Sequence, residues 1–140
     1  MSVPSGFKPL FRSSPVSELI GPIYCCGEGA DLVLGLRVEN KHCNARGLVH
    51  GGILATLADT SLGYAMAFST DPPTSLVTAN LTLDFAGTAR IGDWLQTQVD
   101  IQKQGRRLSF ANCYIAVGGQ RIVRASAVFL ATGDLTGAGT

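Results

Sequence analysis

The sequence predicts an α+β domain in which one long buried helix is wrapped by a curled antiparallel sheet of five to six strands. Three observations predict it. Residues 53–68 are too long for a strand, are rich in Ala and Leu, and place apolar side chains on nearly every helical face. From residue 76 the apolar period becomes two and stays so through four successive segments. A helix with no outward face to spare then leaves the sheet one arrangement, curled around it.

Taken in order, residues 1–14 are rich in Ser, Pro and basic side chains and read as a flexible N-terminus. The run PVSELI at 15–20 is a short helix stopped by Gly21-Pro22. Residues 23–26 and 31–39 read as a strand pair joined by GEGA, and 40–50 as a polar loop. After the long helix, Asp71-Pro72-Pro73 breaks the chain. Strands are expected at 76–85, with Val77, Ala79, Leu81, Leu83 and Phe85 on one face, then at 94–103, 108–117 and 121–131. Gly118-Gly119 is a hairpin signal between the last two. One domain spans 15–132, and 133–140 reads as a flexible tail.

A chain of 140 residues can bury its own core. The net charge of +1 points to neither a nucleic-acid partner nor a membrane surface. With 15% charged against 46% hydrophobic residues, the surface is lean for a monomer, which predicts an oligomer. Cys25, Cys26, Cys43 and Cys113 form no C-x-x-C pair and read as free thiols of a cytoplasmic protein. His42 and His50 lack zinc spacing, so no metal is expected. The N-terminus has no signal-peptide core, and 53–68 is too short to span a bilayer.

Within the long apolar stretch stands one acid, Asp59, and a carboxylate in apolar surroundings is costly unless it is paired or has a task. Asn44 precedes His50-Gly51-Gly52 by six residues, and Asp59 follows His50 by nine. The stretch NARGLVHGGILATLAD closely resembles the signature of hotdog-fold acyl-CoA thioesterases of the phenylacetate-degradation (PaaI-like) branch, and the likeness spans roughly residues 17–131.

The residues make chemical sense without that family. Gly51-Gly52 opens the helix, where the first N–H groups have no internal partner and the dipole favours negative charge. A thioester carbonyl placed there would be polarised and its oxyanion held. Asp59 is the candidate general base or nucleophile. It lies eight residues beyond Gly51, about 12 Å along the axis, so both can act on one carbonyl only if they come from two chains.

The resemblance implies the same: a site across a homodimer interface, with dimers paired into a homotetramer. It implies that Asn44 polarises the thioester carbonyl with the Gly51 N–H, that His50 supports the loop, and that Thr78 orients the attacking water. Gly52 and Tyr64 would bind substrate. Leu57 and Phe68 would help line the acyl pocket. Coenzyme A, as part of the substrate and not a cofactor, brings phosphates that need basic rims, and Arg90, Arg106 and Arg107 are the candidates. Three alternatives stand beside this reading. Asp59 could be a buried acid satisfied by Thr56, Thr60 or Asn44. The domain could bind acyl-CoA without turning it over, as a sensor or carrier, or it could be a structural oligomer with a vestigial site. No G-x-S-x-G elbow, P-loop or dinucleotide fingerprint supports other chemistry.

Overall fold

A computed structural model describes residues 2–134. The elements are β1 (Lys8–Pro9), α1 (Pro15–Ile20), β2 (Tyr24–Cys26), β3 (Val33–Arg37), α2 (Gly51–Ala67), β4 (Thr74–Phe85), β5 (Trp94–Gln104), β6 (Leu108–Val117) and β7 (Gln120–Asp134). The strands form one antiparallel sheet in the order β1-β2-β3-β5-β6-β7-β4. Seven strands replace the expected five to six; the addition is β1, whose two residues are too few to show a period, while β2 falls within the strand expected at 23–26. β1 lies within the segment 1–14 that composition reads as flexible, where Phe7 also stacks on Trp94 at 5.1 Å. The tail expected over 133–140 lies outside the described residues from 135 onward. No helix among the described residues is long and apolar enough to cross a membrane.

The core lies between α2 and the concave face of the sheet. Leu54, Leu57, Ala58, Leu62, Ala65 and Met66 of the helix are buried against Leu34, Leu95, Cys113, Ile115, Ala125 and Phe129 of the strands. One polar bolt crosses this core. The hydroxyls of Ser61 and Thr97 share a hydrogen bond at 2.6 Å, and Thr97 Oγ1 accepts the N–H of Leu34 at 2.9 Å, so the buried hydroxyls are satisfied.

The helix is not enclosed all round by its own chain. Gly52 is exposed, and Thr56, Asp59, Thr60 and Gly63 are half-buried, a stripe along one face. The strand after it also departs from simple alternation. A bulge between Thr78 and Asn80 inserts one residue against β7. Leu81, Leu83 and Phe85 follow the inward period of Thr78, whereas Val77 faces outward, 49% exposed. The single face expected for Val77 to Phe85 is therefore split, because one extra residue exchanges the faces. The turn at Gly118-Gly119 is as expected, with φ of +57° and +82°, the positive pair that a tight hairpin needs.

Gly35 of β3 is required for another reason. A Cβ there would fall inside the ring of Trp94, which lies across the strand between Phe7, Tyr24 and the guanidinium of Arg37, 5.0 Å from the ring centre. Gly35→Ala is expected to cost about 1–3 kcal/mol by overpacking, seen as a lower urea midpoint. An unchanged midpoint would mean that the Trp94 cluster contributes nothing to stability.

Candidate active site

The loop before α2 is built on Asn44. Its Oδ1 accepts the N–H groups of Arg46 and Leu48 at 2.9 and 3.2 Å, a side-chain turn that asparagine makes readily. Both acceptor positions are spent on the loop, and its Nδ2 has no acceptor among the described residues, so the amide remains free to donate. Bridges from Cys43 to Val49 and from Leu48 to Arg90 fasten the loop to the domain.

His50 caps α2. Its Nδ1 accepts the N–H of Gly52 at 2.9 Å, and its carbonyl accepts those of Ile53 and Leu54 at 2.9 and 3.3 Å. Three of the four donors of the first turn are thereby used. The fourth, the N–H of Gly51, has no acceptor among the described residues. A free donor at the positive end of a seventeen-residue helix is suited to an oxyanion.

Further along the helix Asp59 opens onto a cleft of about 460 Å³, whose lining includes Gly63, Tyr64, Leu76, Thr78 and Phe129 and also Val16, Ser17 and Ile20 of α1. Thr78 Oγ1 donates to Asp59 Oδ1 at 2.7 Å. That leaves Oδ2 without a partner among the described residues, open to accept a proton from a bound water. The bulge that follows Thr78 re-aims the strand at this point, as bulges beside reactive groups commonly do. Thr56, one of the residues considered as a structural partner for the acid, instead bonds the carbonyl of Gly52 at 2.9 Å.

This geometry pairs a free helix-terminal donor with a carboxylate in a cleft. The thioesterase superfamily model matches residues 46–123, more than half of the chain, and the match includes Gly51, Asp59 and Thr78. The chain belongs to the thioesterase superfamily. It is 51% identical over 130 residues to a Pseudomonas aeruginosa protein named "Putative esterase PA0474", across 92% of this chain and 97% of that one. It is 32% identical over 81 residues to acyl-coenzyme A thioesterase 13 of mouse, across 58% of this chain and 57% of that one. Among solved structures it resembles the Escherichia coli PaaI protein of the phenylacetic acid degradation operon, with a TM-score of 0.78, 22% identity and 86% of each chain covered. It also resembles a Streptococcus pneumoniae hypothetical thioesterase protein solved with coenzyme A, with a TM-score of 0.75, 22% identity, and 80% of this chain and 87% of that one covered. The fold, one long helix on an open antiparallel sheet, is the hotdog fold.

Within this thioesterase fold the predicted residues separate into groups. Asp59, Thr78 and Tyr64 share the cleft. His50, Gly51 and Gly52 stand at the start of α2 and Asn44 in the loop before it, and none of the four lines the cleft. Leu57 is fully buried in the core and does not line the Asp59 cleft, because the helical period turns it to the sheet. Phe68 faces a separate cavity with Phe11 and Cys25. Arg90 lies beside the Asn44 loop through the Leu48 bridge. Arg106 and Arg107 are exposed on the β5–β6 turn, which the Gln104 side chain ties to Ser69 past the far end of α2. None of the three arginines lines the Asp59 cleft.

Two features lay beyond the sequence reading: α1 as a wall of the cleft, and His42, buried beside the loop. The His42-x-Asn44 spacing was the one local hint of the second. No cluster of three metal-ligating side chains occurs among the described residues. Burial pushes the thiol of Cys113 up to about 12, against a smaller lowering by the backbone of Gln98, so it stays protonated and unreactive at neutral pH.

Proposed function

We propose that the protein hydrolyses acyl-CoA thioesters at a site completed by two subunits, with no cofactor beyond the coenzyme A of the substrate. The observation that carries the proposal is the hydroxyl of Thr78 on Asp59 Oδ1 inside the cleft. It fixes the carboxylate and leaves Oδ2 to act on water. In this scheme Asp59 takes a proton from water, whose oxygen bonds to the thioester carbon. The carbonyl becomes an oxyanion held by the Gly51 N–H and the Asn44 amide. Collapse breaks the C–S bond, the sulfur takes the proton from Asp59, and free acid and coenzyme A leave. A second route to the same products has Asp59 attack the carbon directly, forming an anhydride that water then hydrolyses.

On one chain the donors and the acid lie about 12 Å apart along the helix, so Gly51 and Asn44 of one subunit serve Asp59 of its partner. Two features support the homodimer: the half-buried stripe of α2 that carries Asp59, and the long edge strand β4, which among the described residues pairs only with β7. The outward row Val77, Leu130 and Leu108, neighbours across three strands and 49%, 39% and 44% exposed, supports pairing of dimers into a homotetramer. Arg90, Arg106 and Arg107 are the candidate partners of the coenzyme A phosphates. Four free cysteines support a cytoplasmic setting.

The test is release of free thiol from a panel of acyl-CoAs, aryl and straight-chain, by the purified protein. Turnover of some members is the expected result, and the profile defines the pocket. Tight acyl-CoA binding without thiol release would replace hydrolysis with a sensor or carrier role. Neither binding nor release would leave a structural oligomer.

A further inference from the structure

His42 is a buried polar group that the proposed chemistry does not use. It is 1% exposed and ends the short helical turn Asn40–His42, two residues before Asn44. Its ring joins two separate segments. Nδ1 accepts the N–H of Glu39 at 2.9 Å, and Nε2 meets the carbonyl of Ile20 at 2.5 Å. A backbone N–H can only donate, so Nδ1 carries no proton and the ring hydrogen sits on Nε2, donated to Ile20. The carbonyl of His42 accepts the N–H of His50 at 2.9 Å. One residue thus ties the last residue of α1 to the residue that caps α2.

This tie matters because, beyond the partial packing of Ile20 against the core, α1 has little to hold it. None of its six residues is buried, and Val16 and Leu19 are 55% and 75% exposed. An isolated helix of that length has no stability of its own. Its start is fixed locally by Ser14, whose Oγ accepts the N–H of Ser17 at 3.1 Å. Its end is fixed to the domain through His42. Yet Val16, Ser17 and Ile20 line the same cleft as Asp59.

We infer that His42 is a positioning residue that acts through α1. By holding the end of that helix it sets the width of the cleft and thereby which acyl groups fit beside Asp59. The inference rests on the reading of this cleft as the acyl site.

Two substitutions separate the halves of the clamp. In His42→Asn the side-chain oxygen takes the place of Nδ1, which keeps the Glu39 contact and loses Ile20. In His42→Gln the amide nitrogen takes the place of Nε2, which keeps Ile20 and loses Glu39. The Asn variant is expected to exchange the amides of residues 16–20 faster than wild type while the loop at 43–50 stays protected. Its ratio of kcat/KM between the longest and shortest acyl groups hydrolysed should shift about tenfold, the size of one lost buried hydrogen bond, and the shift should reside in KM. The Gln variant should keep the wild-type ratio. Uniform loss of kcat over every acyl group, with the ratio unmoved in both variants, would overturn the inference. A measurement on the unaltered protein does not depend on the variants folding: a long-range proton–nitrogen correlation of the His42 ring should show the proton on Nε2, and a proton on Nδ1 would overturn the clamp. If the wild type hydrolyses no thioester, the catalytic reading fails, while amide exchange and the ring tautomer still decide the clamp.

Discussion

Asp59→Asn should lower kcat on every acyl-CoA the protein hydrolyses by about a hundred- to ten-thousand-fold and leave the fold in place. Asparagine has nearly the same shape as aspartate and keeps an oxygen to accept the Thr78 hydroxyl, now at 2.7 Å. The position is only half-buried in the chain, so stability should move by no more than about 0.5 kcal/mol. What disappears is the means to take a proton from water or to attack a carbonyl. Substrate binding relies on other groups, so KM should stay near its wild-type value while kcat falls. Thermal denaturation and thiol release on the same preparation check both halves. Wild-type turnover in a folded variant would remove Asp59 from the mechanism under either route.

Mixed oligomers provide the second large effect. Asn44→Asp keeps the two acceptor contacts to Arg46 and Leu48 that hold the loop and loses only the donating amide, at a cost of about a hundredfold or more in rate. Asp59→Asn and Asn44→Asp are thus each nearly inactive as pure oligomers. A mixed dimer, however, has one site that combines both defects and one that has neither. Equal mixing with free subunit exchange should therefore restore about a quarter of wild-type activity, since half the dimers are mixed and half of their sites are intact. If each subunit contains a whole site, mixing restores nothing. The assay needs no structure of the complex, and it distinguishes a shared site from two self-contained ones.

Much of this was legible in the sequence, for physical reasons that differ by residue. The long helix, the four long strands and the Gly118-Gly119 turn follow from period and turn chemistry, which are local. The loop motif from Asn44 to Asp59 is also local, and its spacing along one helix implies the separation of donor and acid. Thr78 was different: nothing in an isolated strand threonine points to an acid nineteen residues earlier, and only the family likeness marked it. The bulge after Thr78 was not legible at all, since alternation on both sides of a one-residue insertion looks regular until the partner strand fixes the register. The same holds for β1, a strand of two residues whose only support is its pairing with β2. The stripe of α2 that carries Asp59 was misread as wholly enclosed because hydropathy cannot tell a face covered by the chain's own sheet from one left for another surface. His42 was hidden because its partners, Glu39 and Ile20, contribute backbone atoms, which leave no trace in residue type.

The placement of Gly51 and Asp59 at different levels of one helix has a consequence for supply. If the site is shared as proposed, a chain that folds alone owns half of two sites and a whole one of none. Catalytic capacity would then scale with the square of copy number when the protein is scarce and linearly once it is abundant. A cell holding few copies would carry folded but idle molecules, and a modest rise in synthesis would switch them on together. Specific activity measured down a dilution series would trace that threshold directly, with the reaction itself reporting the dissociation constant.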